Sequence, residues 1–281
     1  MKKLKILNAE ASDFLSLDNN ILLEDLSVIS NSNDIEIEKR VIKKIISMKC
    51  LKEVKLFLKK LDYNDISNIN DLNTSINKIK IEWINHPNYI LYNLLEKFPN
   101  LSDLELRISY NENGLNDIEI TENIKSKINK LTIYCKNATI KLFCQPFQNL
   151  EKIDITIYGE FHNIKDRFPF LKNNWNIIFS SLIDFYFNYD KNIDLDILYN
   201  LCNNLDKMKN LKYFYLFCMC EAVDKNYYNN LNEKLSSLNL DGINIQIKNG
   251  VIIGESIYGQ HEEEKYLNEF KENGIYIKKI N

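Results

Sequence analysis

The chain has 281 residues, 45% of them apolar, and its 36 Lys and Arg stand against 39 Asp and Glu for a formal net charge of -3. That is apolar material enough for a sizeable core, and so even a balance gives no electrostatic reason to expect nucleic acid or an anionic membrane as partner. Only 7 Gly and 4 Pro are present, which leaves little for the glycine-rich loops that cradle phosphates.

From Met1 to Asn8 the chain opens with a basic stretch, but Asn8, Glu10, Ser12 and Asp13 interrupt it before a signal-peptide core can form. No stretch approaches the roughly 20 apolar residues of a membrane span. Six cysteines without a signal (Cys50, Cys135, Cys144, Cys202, Cys218, Cys220) read as reduced thiols, so the expected setting is cytoplasmic.

A spacing Φ-x-x-Φ-x-Φ, with Φ apolar, begins at Leu23, Leu51, Ile76, Leu101, Ile128, Leu150, Leu182, Leu211 and Leu240. The copies stand about 22 to 32 residues apart, the period of a repeat architecture. A lead-in recurs as well, in Met48-Lys-Cys-Leu51, Phe98-Pro-Asn-Leu101, Phe147-Gln-Asn-Leu150, Phe179-Ser-Ser-Leu182 and Met208-Lys-Asn-Leu211. Each copy alternates apolar and polar residues, as in Asp103-Leu-Glu-Leu-Arg107, which predicts a strand with one dry and one wet face.

Between the strands, helical spacing predicts helices over Asp34 to Ser47, Tyr89 to Phe98 and Leu195 to Met208, with Asp34 and Glu38 suited to a helix N-terminus. Asp62 to Ser75 is weaker, a single turn or irregular. Before Leu150, Pro146 and a short step leave room only for a short helix. The tail carries Val251-Ile-Ile253, a helix candidate from Glu262 to Lys271 and a last strand at Gly274 to Lys278. With no Pro-, Gly- or Ser-rich linker, the expectation is one domain over 1–281: a cap at 1–22, about nine repeats at 23–248 and a second cap at 249–281.

Alternating strands and helices at this period suit a solenoid or a (β/α)₈ barrel. Barrel strands are buried on both faces and read as continuous apolar runs. The charges at alternate positions here favour an open sheet. Leu101-x-x-Leu104-x-Leu106 and its relatives, from about Leu23 to Ile245, resemble the strand core of leucine-rich repeats. The resemblance implies an α/β fold, an open curved horseshoe with a parallel concave sheet and helices on the convex side. The family continues with Asn or Cys just beyond the third apolar position; Asn31, Cys135 and Cys218 fit, whereas Lys59, Ile84, Ser109 and Tyr158 do not.

On the wet face, Glu53, Lys78, Asp103 and Lys130 should form a column of alternating sign, with Lys80 beside Glu105 and Glu82 beside Arg107. Either these charges settle among themselves or they select a charged partner, and their near cancellation favours self-pairing. Tyr186, Tyr213, Tyr215 and Phe217 fall on adjacent strands, with Tyr134 two strands away. Rings on an exposed rigid sheet make interface anchors, so these five are the candidate partner-binding residues. A one-residue register slip, or a covering by the C-terminal tail, would bury them instead.

His86, His162 and His261 are far apart, and no metal, redox or phosphate motif assembles; Cys218-Met-Cys220 lacks two zinc ligands, and His261-Glu-Glu-Glu264 is explained by acidic residues opening a helix. The sequence therefore predicts a protein-interaction module or scaffold that is not an enzyme, with a protein partner, no nucleic acid, no membrane, and no cofactor or metal. The rival is an enzyme on a barrel-like fold with strand-end acids such as Glu82 or Asp190. A surface adhesin would need an export signal.

Overall fold

Every described member of the apolar triplets from Leu23 to Leu240 is buried, none more than 4% exposed. In the computed structural model, which describes residues 3–18, 22–30, 34–58, 66–84, 88–109, 121–136, 147–158, 180–192, 203–205, 208–220, 230, 233, 240–249 and 274–280, each such triplet opens or lies within a strand. The chain divides into two compact units, Met1–Leu142 with Phe147–Leu150, and Phe143–Pro146 with Glu151–Asn281.

The first unit holds strands β1 (Lys3–Glu10), β2 (Leu22–Ile29), β3 (Glu53–Leu58), β4 (Lys78–Ile84), β5 (Asp103–Ser109) and β6 (Lys130–Lys136). They pair in sequence order, all parallel. Successive triplets lie directly opposite one another: Leu26, Val54, Ile79, Leu104 and Leu131 form one row, and Val28, Leu56, Ile81, Leu106 and Ile133 the next. Burying such a side chain contributes about 1.5–3 kcal/mol, so a slip that turned a row to solvent would be strongly opposed.

Residues 1–22, expected as a cap, carry a further copy of the motif. Register sets Leu4, Leu7 and Ala9 of β1 opposite Leu23, Leu26 and Val28 of β2. Alanine at the third position, and a step shorter than the others, hide this copy from a search for large apolar residues.

The second unit contains β7 (Lys152–Tyr158), β8 (Asp184–Asn192), β9 (Tyr213–Cys220), β10 (Gly242–Asn249) and β11 (Gly274–Ile280). The first four are parallel in sequence order, and β11 pairs antiparallel with β10. Its dry face is more aromatic, with Phe185 against Phe187 and Phe214 at centroid distances of 6.4 and 5.5 Å.

One backbone contact recurs at five of the steps. The Lys52 carbonyl accepts from the amides of Asn77 and Lys78, that of Asn77 from Ser102 and Asp103, and that of Ser102 from Asn129 and Lys130. In the second unit Glu151 receives Ile183 and Asp184, and Ile183 receives Lys212 and Tyr213. The Asn of the lead-in adds a side-chain rung. Asn100 donates to the Thr74 carbonyl at 2.6 Å, Asn149 to Ser126 at 2.5 Å and Asn210 to Ser180 at 2.8 Å, each acceptor lying two residues before the previous copy's first apolar residue.

Four helices are described: α1 (Ala11–Ser16), α2 (Ile35–Ser47), α3 (Asn88–Glu96) and the single turn α4 (Glu122–Lys125). α2 starts as expected, the Asp34 carboxylate accepting from the Glu36 amide at 3.0 Å, and it buries Val41, Ile42, Ile45 and Ile46. Residues 66–75 contain one short helical turn and no longer helix. Of the helix expected from Leu195, residues 203–205 are helical and most of the rest lies outside the described residues, as do Val251–Ile253, the candidate from Glu262 to Lys271, and Asn31. Among the described residues no helix is long and apolar enough to cross a membrane.

At the lead-in position where other copies bury Phe98, Phe147 or Met208, one copy buries Asn73. Its amide donates to the carbonyls of Ile45 and Met48 at the end of α2 (3.0 and 2.8 Å), and its oxygen accepts from the Ser75 amide and hydroxyl and the Ile76 amide. The side chain thus closes the helix and opens the next strand. Asn73→Ala leaves several buried groups unpaired, so the expected loss in urea unfolding is about 1–3 kcal/mol. Asn100→Ala, at an exposed rung, should cost about 1 kcal/mol or less.

Candidate partner-binding surface

The wet face of the first unit is largely settled by its own charges. Lys78 meets Glu53 across β3 and β4 at 3.1 Å, and Lys80 meets Glu105 across β4 and β5 at 2.9 Å. Arg107 stands opposite Glu82 in register, as expected, but its Nε binds Glu105 on its own strand at 3.2 Å. The Arg107 guanidinium also lies 4.8 Å from the centre of the Tyr134 ring, an attraction between a cation and the negative ring face. Tyr134 is therefore half-buried and already engaged within its unit.

Glu105 is the hub of this network. Burial would push its carboxyl up, but hydrogen bonds and charge from Lys80 and Arg107 together outweigh that and hold it below the ordinary value. The bond to Glu105 in turn raises Lys80. Asp103, flanked by Lys78 and Lys130, moves the other way because desolvation prevails over both lysines.

In the second unit the candidate rings share one face. Lys152 of β7 pairs with Asp184 of β8 at 3.7 Å and lies 5.0 Å from the Tyr186 ring centre. Tyr186 in turn stacks on Tyr215 of β9, centroids 5.5 Å apart and planes at 28°. Beside them Tyr213, in register with Asp184, is 46% exposed. Phe217 is half-buried opposite Asn188. None of these rings has turned into the core, where the alternate residues Phe185, Phe187, Phe214 and Leu216 lie instead. In register, Gly242, Asn244 and Gln246 of β10 stand opposite Tyr213, Tyr215 and Phe217.

The acids considered for catalysis are differently placed. Glu82 sits between Phe57 and Arg107 in its row. Asp190 lies where the β8–β9 register breaks, between Asn188 and Asn192. His86, His162 and His261 are outside the described residues. Among the described residues no group of three or more His, Cys, Asp or Glu could hold a metal ion. Cys135 and Cys218 are buried thiols and Cys50 is exposed, and burial pushes the Cys135 thiol well above its usual range.

Sequence reasoning missed the cations over two of the candidate tyrosines, Tyr134 and Tyr186. The signal was present: the register that sets Arg107 against Tyr134 and Lys152 near Tyr186 follows from the same alignment of triplets. Comparison with protein-family models and with curated proteins returned no match.

Because the folded-state carboxyl of Glu105 is depressed, its stabilisation is fully present above its ordinary value of 4.5 and is lost as pH falls through the lower folded value. Glu105→Gln should lower stability at neutral pH and flatten the acid limb of a stability-against-pH curve. An acid limb as steep as that of the wild type would remove Glu105 from that role.

Proposed function

We propose that the chain is a non-enzymatic protein-interaction module of the leucine-rich-repeat kind, an open curved solenoid with helices on its outer side, that engages a protein partner through the wet face of its second unit. The carrying observation is the Tyr186–Tyr215 stack beside the exposed Tyr213. Such rings supply large, stiff contact area and lose little side-chain entropy on binding. Lys152 holds Tyr186 from one side and Tyr215 lies against it in a stack, so the cluster is arranged before any partner arrives. Tyr134, held by Arg107, is the corresponding candidate of the first unit.

Within each unit, in-register parallel strands with buried triplets and charged or polar residues at the alternate positions support the repeat reading over a barrel. The enzyme reading would have to recruit Glu82 or Asp190, and the Phe57 and Arg107 beside Glu82 supply neither a nucleophile nor a base. A cytoplasmic setting accords with the free thiols at Cys50, Cys135 and Cys218.

A Tyr186→Ala, Tyr213→Ala, Tyr215→Ala triple variant, checked by circular dichroism for retained fold, should lose about tenfold or more in affinity for a partner captured by the wild type. Equal capture by the folded variant and the wild type would remove this surface as the site.

A further inference from the structure

The helical side of the first unit carries a feature that the tyrosine surface does not use. Arg40, Lys43, Lys44 and Ser47 recur at the spacing that places them along one face of α2. With Leu15, Leu17 and Asp18, from α1 and the chain just beyond it, they line a wide-open cleft of about 600 Å³. Three cations thus face one carboxylate in a chain whose formal charge is -3.

The three cations are not equivalent. Lys44 donates to the carbonyls of Phe14, Leu15 and Leu17 at 3.0, 3.2 and 2.5 Å, and its nitrogen lies 5.2 Å from the Phe14 ring centre. They lie at the end of a short helix, where the Phe14 carbonyl also accepts from the Leu17 amide at 3.2 Å. Lys44 therefore fixes one wall of the cleft to the other. Desolvation lowers its pKa, and the nearby Asp18 partly opposes that. Arg40 and Lys43 are exposed, and among the described residues neither has a carboxylate partner. On the wet face, by contrast, Lys78, Lys80, Arg107 and Lys152 each meet an acid.

We propose that this cleft binds an acidic amphipathic peptide segment of a protein partner, with its carboxylates against Arg40 and Lys43 and an apolar side chain against Leu15 and Leu17. Charge complementarity selects the acidic groups, and the two half-buried leucines select the apolar one. A nucleic acid strand would need a basic track along its phosphates, and the paired cations of the wet face do not provide one. This site is separate from the tyrosine surface, and either can fail without the other.

Fluorescence anisotropy on the full chain tests it, with a fluorescein-labelled peptide of Glu, Asp, Leu and Phe and a counterpart in which Gln and Asn replace the acids. The acidic peptide should bind, more weakly as ionic strength rises, and the amide counterpart about tenfold less tightly or worse. Arg40→Glu with Lys43→Glu should lose about tenfold or more. Lys209→Glu with Lys212→Glu, which changes net charge equally at exposed positions of the second unit, should bind as the wild type does. Arg40→Gln with Lys43→Gln serves if charge reversal unfolds the helix. No binding of the acidic peptide, or equal loss in both reversed pairs, would overturn the proposal. So would tighter binding at Arg40 and Lys43 by labelled single-stranded DNA or by phosphatidylserine vesicles.

Discussion

In five copies the carbonyl one residue past the first apolar residue accepts two amides from the following copy, at Lys52, Asn77 and Ser102 in the first unit and at Glu151 and Ile183 in the second. That contact sets where the next strand begins, and strand geometry sets the rest, because successive side chains point to opposite faces. Once the first residue is placed, Leu104 and Leu106 must be dry and Asp103, Glu105 and Arg107 wet. Asparagine rungs at Asn100, Asn149 and Asn210 repeat the instruction with a side chain. Burial of the triplets then makes any other register costly.

The two faces answer to different rules. On the dry side shape decides: aliphatic rows in the first unit give way to Phe185, Phe187 and Phe214 in the second. On the wet side water competes for every charge, so an exposed ion pair contributes little by itself. Glu105 gains more because it is partly desolvated and serves both Lys80 and Arg107. Where the strands carry tyrosines, two of the ion-paired cations, Arg107 and Lys152, also lie over ring faces, and the rings are held without being buried.

Much of this was legible in the sequence, because the physics involved is local. Strand register, the dry triplets, the cap of α2 at Asp34 and the wet positions of Tyr186, Tyr213 and Tyr215 all follow from counting. What escaped depends on side chains meeting across long separations. Asn73 occupies a position that elsewhere takes Phe, and nothing in its own neighbourhood reveals that it satisfies the end of α2. The choice of Arg107 between Glu82 and Glu105 turned on same-strand geometry. The α1–α2 cleft depends on Lys44 reaching back to carbonyls about thirty residues earlier. β1 was missed for a simpler reason, since Ala9 stands where a bulkier residue was sought.

Fixing each strand from its first residue frees the length of everything between strands. With the β1 copy counted, the copies stand as few as 19 and as many as 32 residues apart, yet within each unit the wet positions of paired strands keep their neighbours. A residue such as Tyr213 therefore has an address counted from Leu211, not from the chain terminus. Insertions between strands are absorbed away from the displayed surface, whereas one residue gained inside a strand exchanges its faces. A lineage of such chains can vary its connections widely while conserving a surface read row by row.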